Sequence, residues 1–243
     1  MGVRTYLRLS ALAGVAALAL AGLPASAGPP VAAPAQVSAY FFGDSLMAGT
    51  GASPRRPVMA RVAAARLGWD VEVDAWGGTG YTTTGSSPGY LDRLRRPGAL
   101  SGEYDVVLLE GGTNDARVRS TPEQVRTAVR EVVAHVRERQ PQAQVVLMGA
   151  YDPPPPGRVD PHRTTVDRAI EEVADELGLP FFSPWSGRWT TGHDPGPFLD
   201  DDGLHPTARG YGVMGERLAS GLAAALPDLG SSSQAPHPTS SAA

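Results

Sequence analysis

Segments of strand character and segments of helix character alternate five times along this chain, an order that predicts an α/β fold with a parallel sheet between two helical layers. Three observations carry the prediction. Val106 to Leu109 is an unbroken aliphatic run between turn residues, the pattern of a strand buried on both faces. The stretch opened by Thr121-Pro122-Glu123 sets Val125, Ala128, Val129, Val132, Val133 and Val136 on one helical face, with arginines and glutamates opposite. The connections run from a few residues to a dozen or more, long enough for crossovers between parallel strands.

The N-terminal segment is read as an address label. Arg4 and Arg8 precede an apolar stretch from Leu9 to Leu23 that ends in Ala25-Ser26-Ala27, the pattern of a secretory signal peptide cleaved near Ala27. The stretch is alanine-rich and shorter than the roughly 18 to 20 apolar residues of a spanning helix. Residues 28–37 form a Pro/Ala spacer, 38–229 the folded domain, and 230–243 a polar tail expected to be disordered. The expected protein is exported and monomeric, with no transmembrane segment after cleavage.

Within the domain, Ala39 to Phe42 is an apolar, aromatic run that stops at Gly43 and reads as the first buried strand, with Ser45 just past its end. Val58 to Leu67 has helical spacing and Gly68 as its stop. Val71, Val73 and Ala75 alternate with Glu72 and Asp74 as a second strand that runs into Trp76-Gly77-Gly78-Thr79-Gly80. The third strand, Val106 to Leu109, leads into the loop Glu110-Gly111-Gly112-Thr113-Asn114-Asp115. Val145 to Met148 is the fourth strand, Val166 to Leu177 a helix closed by Gly178, Pro180 to Phe182 a short fifth strand, and Thr207 to Leu226 the last helix.

Composition removes several chemistries. There is no cysteine, so the fold relies on its core and a zinc site with thiolate ligands is excluded. All 21 basic residues are arginine, which excludes a Walker-type phosphate loop, a Schiff base and a Ser-Lys dyad. Without Arg4 and Arg8 the chain holds 19 basic and 25 acidic residues, a balance that argues against nucleic acid as a partner.

In a parallel sheet the loops after the first three strands and the loop Asp202-Gly203-Leu204-His205 before the last helix share one rim. Their residue types are those of acyl transfer. Ser45 can attack a carbonyl if His205 takes its proton, and Asp202 can hold the other imidazole N–H. Backbone N–H groups of Ser45 and Gly80, with the Asn114 amide, can meet an oxyanion.

These blocks resemble the SGNH hydrolases, also called GDSL esterases and lipases, over the whole mature domain. Gly43-Asp44-Ser45-Leu46 resembles the family's first block, Gly80 the glycine of the second, Gly112-Thr113-Asn114-Asp115 the third, and Asp202 to His205 the last. The resemblance implies Ser45 as nucleophile, Gly80 and Asn114 as oxyanion donors with Ser45, His205 as base and Asp202 as its orienter. It also implies a flavodoxin-like three-layer α/β/α sandwich with a five-stranded parallel sheet, and an open, adaptable site. Many members carry asparagine where this chain has Ala75, so Gly77 and Gly78 stand beside Gly80 as alternatives for the second-block donor.

Other residues compete for these roles. Gly85-Ser86-Ser87-Pro88-Gly89 matches a hydrolase elbow formally, but Tyr81-Thr82-Thr83-Thr84 before it is no buried strand and Pro88 blocks a helix after it. His193-Asp194 lies in a loop without a helix to fix it; His135, His162 and His237 have no mechanistic neighbour in sequence. Asp200 and Asp201 are substitutes for Asp202 in a shifted register, and Asp44 and Asp115 read as braces for their loops. Tyr81, Tyr151, Trp185, Trp189 and Phe198 are the aromatics expected at the rim as substrate contacts, with Pro153 to Pro156 stiffening one flank. The expected activity is hydrolysis of carboxylic esters, of lipids or O-acylated glycans, without metal or organic cofactor. An acyltransferase with the same residues and a non-catalytic glycan-binding module are the alternatives.

Overall fold

The computed structural model describes residues 36–54, 56, 58–83, 88–151, 153, 160–190 and 195–230. The expected signal peptide, most of the spacer, the tail after Gly230, Gly85 to Ser87, Pro154 to Pro156, His193-Asp194 and His237 lie outside them.

Among the described residues, five strands form one all-parallel sheet: β1 Ser38–Gly43, β2 Asp70–Ala75, β3 Val106–Glu110, β4 Gln144–Met148 and β5 Phe181–Phe182, in the order β2-β1-β3-β4-β5. The helices are α1 Val58–Leu67, α2 Tyr90–Leu94, α3 Thr113–Arg117, α4 Pro122–Arg139, α5 His162–Leu177, α6 Pro195–Phe198, α7 Ala208–Ala225 and α8 Pro227–Gly230. The flavodoxin-like order follows from the sequence pattern through its one reversal. The chain steps outward from β1 to β2, then returns past β1 to β3, so the crevice between the carboxyl ends of β1 and β3 is the switch point where such sheets bind ligands.

Alternation along the strands divides the core in two. Phe41, Leu108 and Val146 face a cluster with Met59 and Ala63 of α1 and Met214 and Leu218 of α7. Phe42, Leu109 and Leu147 face the other way, onto Val129 and Val133 of α4 and Ile170 and Val173 of α5. The first layer packs closely at Gly215, where a Cβ would sit 2.6 Å from Val62 Cβ and 2.8 Å from the Met59 carbonyl. Helix α4 starts with the expected cap: Thr121 Oγ1 accepts from Gln124 N, and the Gln124 side chain accepts from Thr121 N.

Beyond the short α6 and α8, three helical segments depart from the sequence reading. Helix α5 begins at His162 and not at Val166: its first turn, His162-Arg163-Thr164-Thr165, is polar and apolar spacing does not register it, while Asp160 Oδ1 accepts the His162 N–H (3.0 Å) just before it. Thr113 to Arg117, read as loop, is the helical turn α3, with Gly112 in the left-handed region at its start. Helix α2 fills the long connection between β2 and β3, where Tyr90 O–H donates to the Glu110 carbonyl (2.7 Å). No helix among the described residues is long and apolar enough to cross a membrane.

Candidate active site

Ser45 leaves β1 on a tight turn that its neighbours hold on every side. Ala48 N donates to Asp44 O and Thr50 N to Ser45 O, both at 3.0 Å, and Leu46 N donates to Asp44 Oδ1 at 2.8 Å. From below, Glu110 Oε2 accepts the Asp44 N–H (3.1 Å), and its carboxylate also accepts from Met47 N. Tyr211 of α7 donates its O–H to the Thr50 carbonyl (2.7 Å) and ties the far end of the turn to the last helix.

The last loop meets this turn at Gly51. At φ +91°, a Cβ there would lie 2.7 Å from the Pro206 carbonyl and 2.9 Å from His205 Cβ, so only glycine lets the two loops close. A bridge between Leu199 and Pro206, with Asp200 N donating to His205 O (2.8 Å), shapes the loop, and Thr207 caps α7 by accepting from Gly210 N. His205 then reaches Ser45. Its Nδ1 donates to Asp202 Oδ2 (2.5 Å), which leaves Nε2 as the acceptor facing Ser45 Oγ at 2.8 Å. Asp202 Oδ1 also accepts the N–H groups of Leu204 and His205, both at 2.8 Å. Partial burial raises the Asp202 carboxyl, but the His205 ring and these two N–H groups outweigh it and hold its pKa below the usual value.

A different electrostatics rules beneath Ser45. Asp44, Glu110 and Asp115 are fully buried, and desolvation raises the pKa of each. Asp44 Oδ2 accepts from Asn114 Nδ2 (2.9 Å), while Asp115 accepts the N–H groups of Tyr81 and Thr82 and the Thr82 hydroxyl. Arg93, also fully buried, spans the two loops: it donates to the Gly43 carbonyl and to Thr79 Oγ1, both at 2.7 Å, pairs with Asp74 Oδ1 (2.8 Å) and lies 4.0 Å from the centre of the Phe42 ring. Sequence reasoning passed over Glu110 and Arg93. A charged residue closing an otherwise aliphatic buried strand was the one signal for Glu110; for Arg93 there was none.

The Ser45 cavity measures about 560 Å³ and is lined by Ser45, Trp76, Gly78, Asn114, Arg117 and His205 among others. Ser45, His205 and Asp202 thus stand in one hydrogen-bonded line, with Asn114 beside it. Gly80 does not line the cavity. Its N–H donates to Thr83 Oγ1 (2.9 Å) in a buried turn against Asp115, whereas Gly77 and Gly78 face the opening. Nor do the expected aromatics line it: Tyr81, Tyr151, Trp189 and Phe198 are buried in the surrounding core, and the partly exposed Trp185 lies elsewhere. Their loops fold inward because aromatic side chains find neighbours there, as Tyr81 does 4.8 Å from Tyr90. Trp76, 43% exposed, is the aromatic at the opening. Among the described residues no cluster of three or more His, Cys, Asp or Glu could hold a metal ion.

A family model described as GDSL-like lipase/acylhydrolase matches residues 41–213, a span that contains every one of these groups. The chain belongs to this family. It is a carboxylic ester hydrolase. Curated proteins return no match. Solved structures of the same fold include a family two carbohydrate esterase from Clostridium thermocellum in complex with cellohexaose, 20% identical at TM-score 0.65, covering 80% of this chain and 66% of that one. A Corynascus thermopiles carbohydrate esterase family 2 enzyme plus carbohydrate binding domain is 26% identical at TM-score 0.64, covering 82% of this chain and 69% of that one. The lipase/acylhydrolase from Enterococcus faecalis is 20% identical at TM-score 0.60, covering 77% of this chain and 95% of its own. The chain spans about two thirds of the length of both carbohydrate esterases.

Proposed function

We propose that this GDSL-like hydrolase is an exported serine esterase that works through an acyl-enzyme on Ser45. The observation that carries the reading is the unbroken line from Ser45 Oγ to His205 Nε2 (2.8 Å) and from His205 Nδ1 to Asp202 (2.5 Å). Ser45 Oγ attacks the ester carbonyl while Nε2 takes its proton; the imidazolium returns that proton to the leaving alcohol, and water attacks the acyl-enzyme by the same route. Asp202 keeps the tautomer and stabilises the imidazolium.

The oxyanion donors in this reading are the Ser45 N–H, which has no partner among the described residues, and the Asn114 amide. Asn114 Nδ2 donates to Asp44 Oδ2 and to the Thr79 carbonyl (3.0 Å), so the developing oxyanion replaces the Thr79 carbonyl as acceptor. The Gly78 N–H, at the cavity wall and likewise without a partner among the described residues, takes the place expected of Gly80. Export rests on the N-terminal pattern ending at Ala27, and N-terminal sequencing of the secreted protein tests it. The catalytic reading is tested by hydrolysis of 4-nitrophenyl esters from acetyl to palmitoyl by the mature protein beside Ser45→Ala and His205→Ala. Activity in the parent and its loss in both variants supports it; retention of activity in either overturns the assignment.

A further inference from the structure

A second cavity, of about 910 Å³, opens beside the Ser45 cavity and shares Gly78 and Arg117 with it. It runs from Thr82 and Thr83 across the end of α3 and along the exposed face of α4 as far as Glu131. Apart from Gly78, the ester chemistry uses none of its lining. We propose that this groove binds the alcohol part of the substrate and that this part is an uncharged glycan chain, an inference that rests on the esterase reading.

The walls decide the class. Apart from Val118, Ala128 and Gly78, every lining side chain ends in a hydroxyl, an amide, a carboxylate or a guanidinium. An acyl or other hydrocarbon chain is drawn out of water only by a continuous apolar wall, and two aliphatic side chains do not make one. The hydroxyls of Thr82, Thr83 and Ser120 are tied to Asp115, to one another and to backbone, so a chain of hydroxyl groups meets its donors and acceptors at Arg117, the Gln124 amide N–H groups, Thr127 and Glu131. The charges in the groove largely cancel at short range: Glu123 is paired with Arg126 (2.9 Å) and Arg119 with Asp160 (3.0 Å). Arg117 and Glu131 balance one another in sign, so the groove offers no net attraction to a polyanion.

Two features mark the joint between the cavities as a sugar-binding point. Arg117 Nε donates to Asn114 Oδ1 (3.3 Å), and its two Nη groups have no partner among the described residues, so they remain as donors over the junction. Trp76 and Val118 are the exposed large hydrophobic residues of the described chain, and each lines one of the two cavities. The Trp76 indole has the Arg96 guanidinium 5.5 Å from its ring centre, and a sugar ring, with an apolar face and a hydroxylated edge, stacks on the part left exposed. A groove of this volume is at the upper end of small-ligand sites and holds roughly two to three sugar rings.

The test compares rates per ester for acetylated mono-, di- and trisaccharides of xylo-, cello- and chito-type with 4-nitrophenyl acetate and 4-nitrophenyl octanoate. In at least one series kcat/KM rises about tenfold from one ring to three, and acetate outperforms octanoate. Thr127→Trp places a large side chain in the groove from an exposed turn of α4, and removes that rise while the melting temperature stays with the parent. A flat response in all three series, with 4-nitrophenyl acetate still hydrolysed, overturns the glycan groove and leaves the esterase reading standing. Preference for octanoate overturns it in favour of a lipid ester. A folded enzyme that hydrolyses none of these esters overturns both.

Discussion

Two sets of carboxylates lie within reach of Ser45, and they are handled in opposite ways. Asp44, Glu110 and Asp115 are sealed beneath the nucleophile turn, where desolvation raises their pKa. Asp202 stands in the last loop with its side chain 41% exposed, and its donors draw its pKa down. A carboxylate that must stay charged beside an imidazolium needs water and several N–H donors; one that only organises backbone can be buried, at a cost in stability that packing offsets. The contrast predicts that the buried set governs folding and the exposed one governs turnover.

The sharpest test is at the exposed line. Ser45→Ala or His205→Ala should lower kcat by about four orders of magnitude or more, and Asp202→Ala by roughly a hundredfold less than either, because nucleophile and base act as a unit. Melting temperatures of all three should stay near the parent value, as each change leaves the buried cluster intact. If Asp202→Ala unfolds the protein, the division of labour collapses.

Asn114 sits between the two regions, bonded to Asp44 below and facing the cavity above. Asn114→Ala should cost about 10² to 10³ in kcat with little change in KM, measured on a short-chain 4-nitrophenyl ester. A change confined to KM would assign it to substrate binding instead.

Glu110 probes the buried side. Glu110→Ala strips the Asp44 and Met47 N–H groups of their acceptor and should cost about 2 to 3 kcal/mol in urea unfolding, whereas Glu110→Gln keeps an acceptor oxygen and should cost less. Equal losses would mean that the negative charge, and not the acceptor, holds the turn.

The last effect is a matter of pH. Asp167 of α5 accepts from Ala150 N (2.9 Å) and the Ser183 hydroxyl (2.5 Å), and burial pushes its pKa up to about 6 from an ordinary 3.8. The folded state therefore binds this proton more tightly than the unfolded chain, and stability rises as pH falls from above 6 towards 4, by on the order of 3 kcal/mol at most. Asp202 contributes with the opposite sign: its lowered pKa gives stability at neutral pH that is lost on acidification below the ordinary carboxylate range. Asp44 shifts the same way, to about 6, so Asp167→Asn should reduce but not abolish the stability gain between pH 6 and 4 in a thermal-melt series. An unchanged profile would remove Asp167 from the account.

Strand positions, the long helices and the order of the four blocks were legible in the sequence because each rests on short-range periodicity or on residue types grouped within a few positions. Asp202 and His205, three residues apart on one loop, belong to this class. The polar first turn of α5 and the short α3 were not, since neither has an apolar repeat to announce it. The buried supports were still less so. Nothing local tells Arg93 to reach Gly43, 50 residues away, or Glu110 to take the Asp44 N–H, 66 residues away.

The sequence by itself determined the sheet, its two apolar faces and the kinds of side chain on the rim, because alternation and residue chemistry are properties of short segments. Tertiary structure alone decided which of Gly77, Gly78 and Gly80 faces the opening, and that Trp76 takes the rim while Tyr81 and Tyr151 enter the core. The physical reason is that a loop residue's exposure depends on what the rest of the chain packs against it. Thr83 captures the Gly80 N–H and Tyr90 meets the Tyr81 ring only after β1, β3 and α2 have come together.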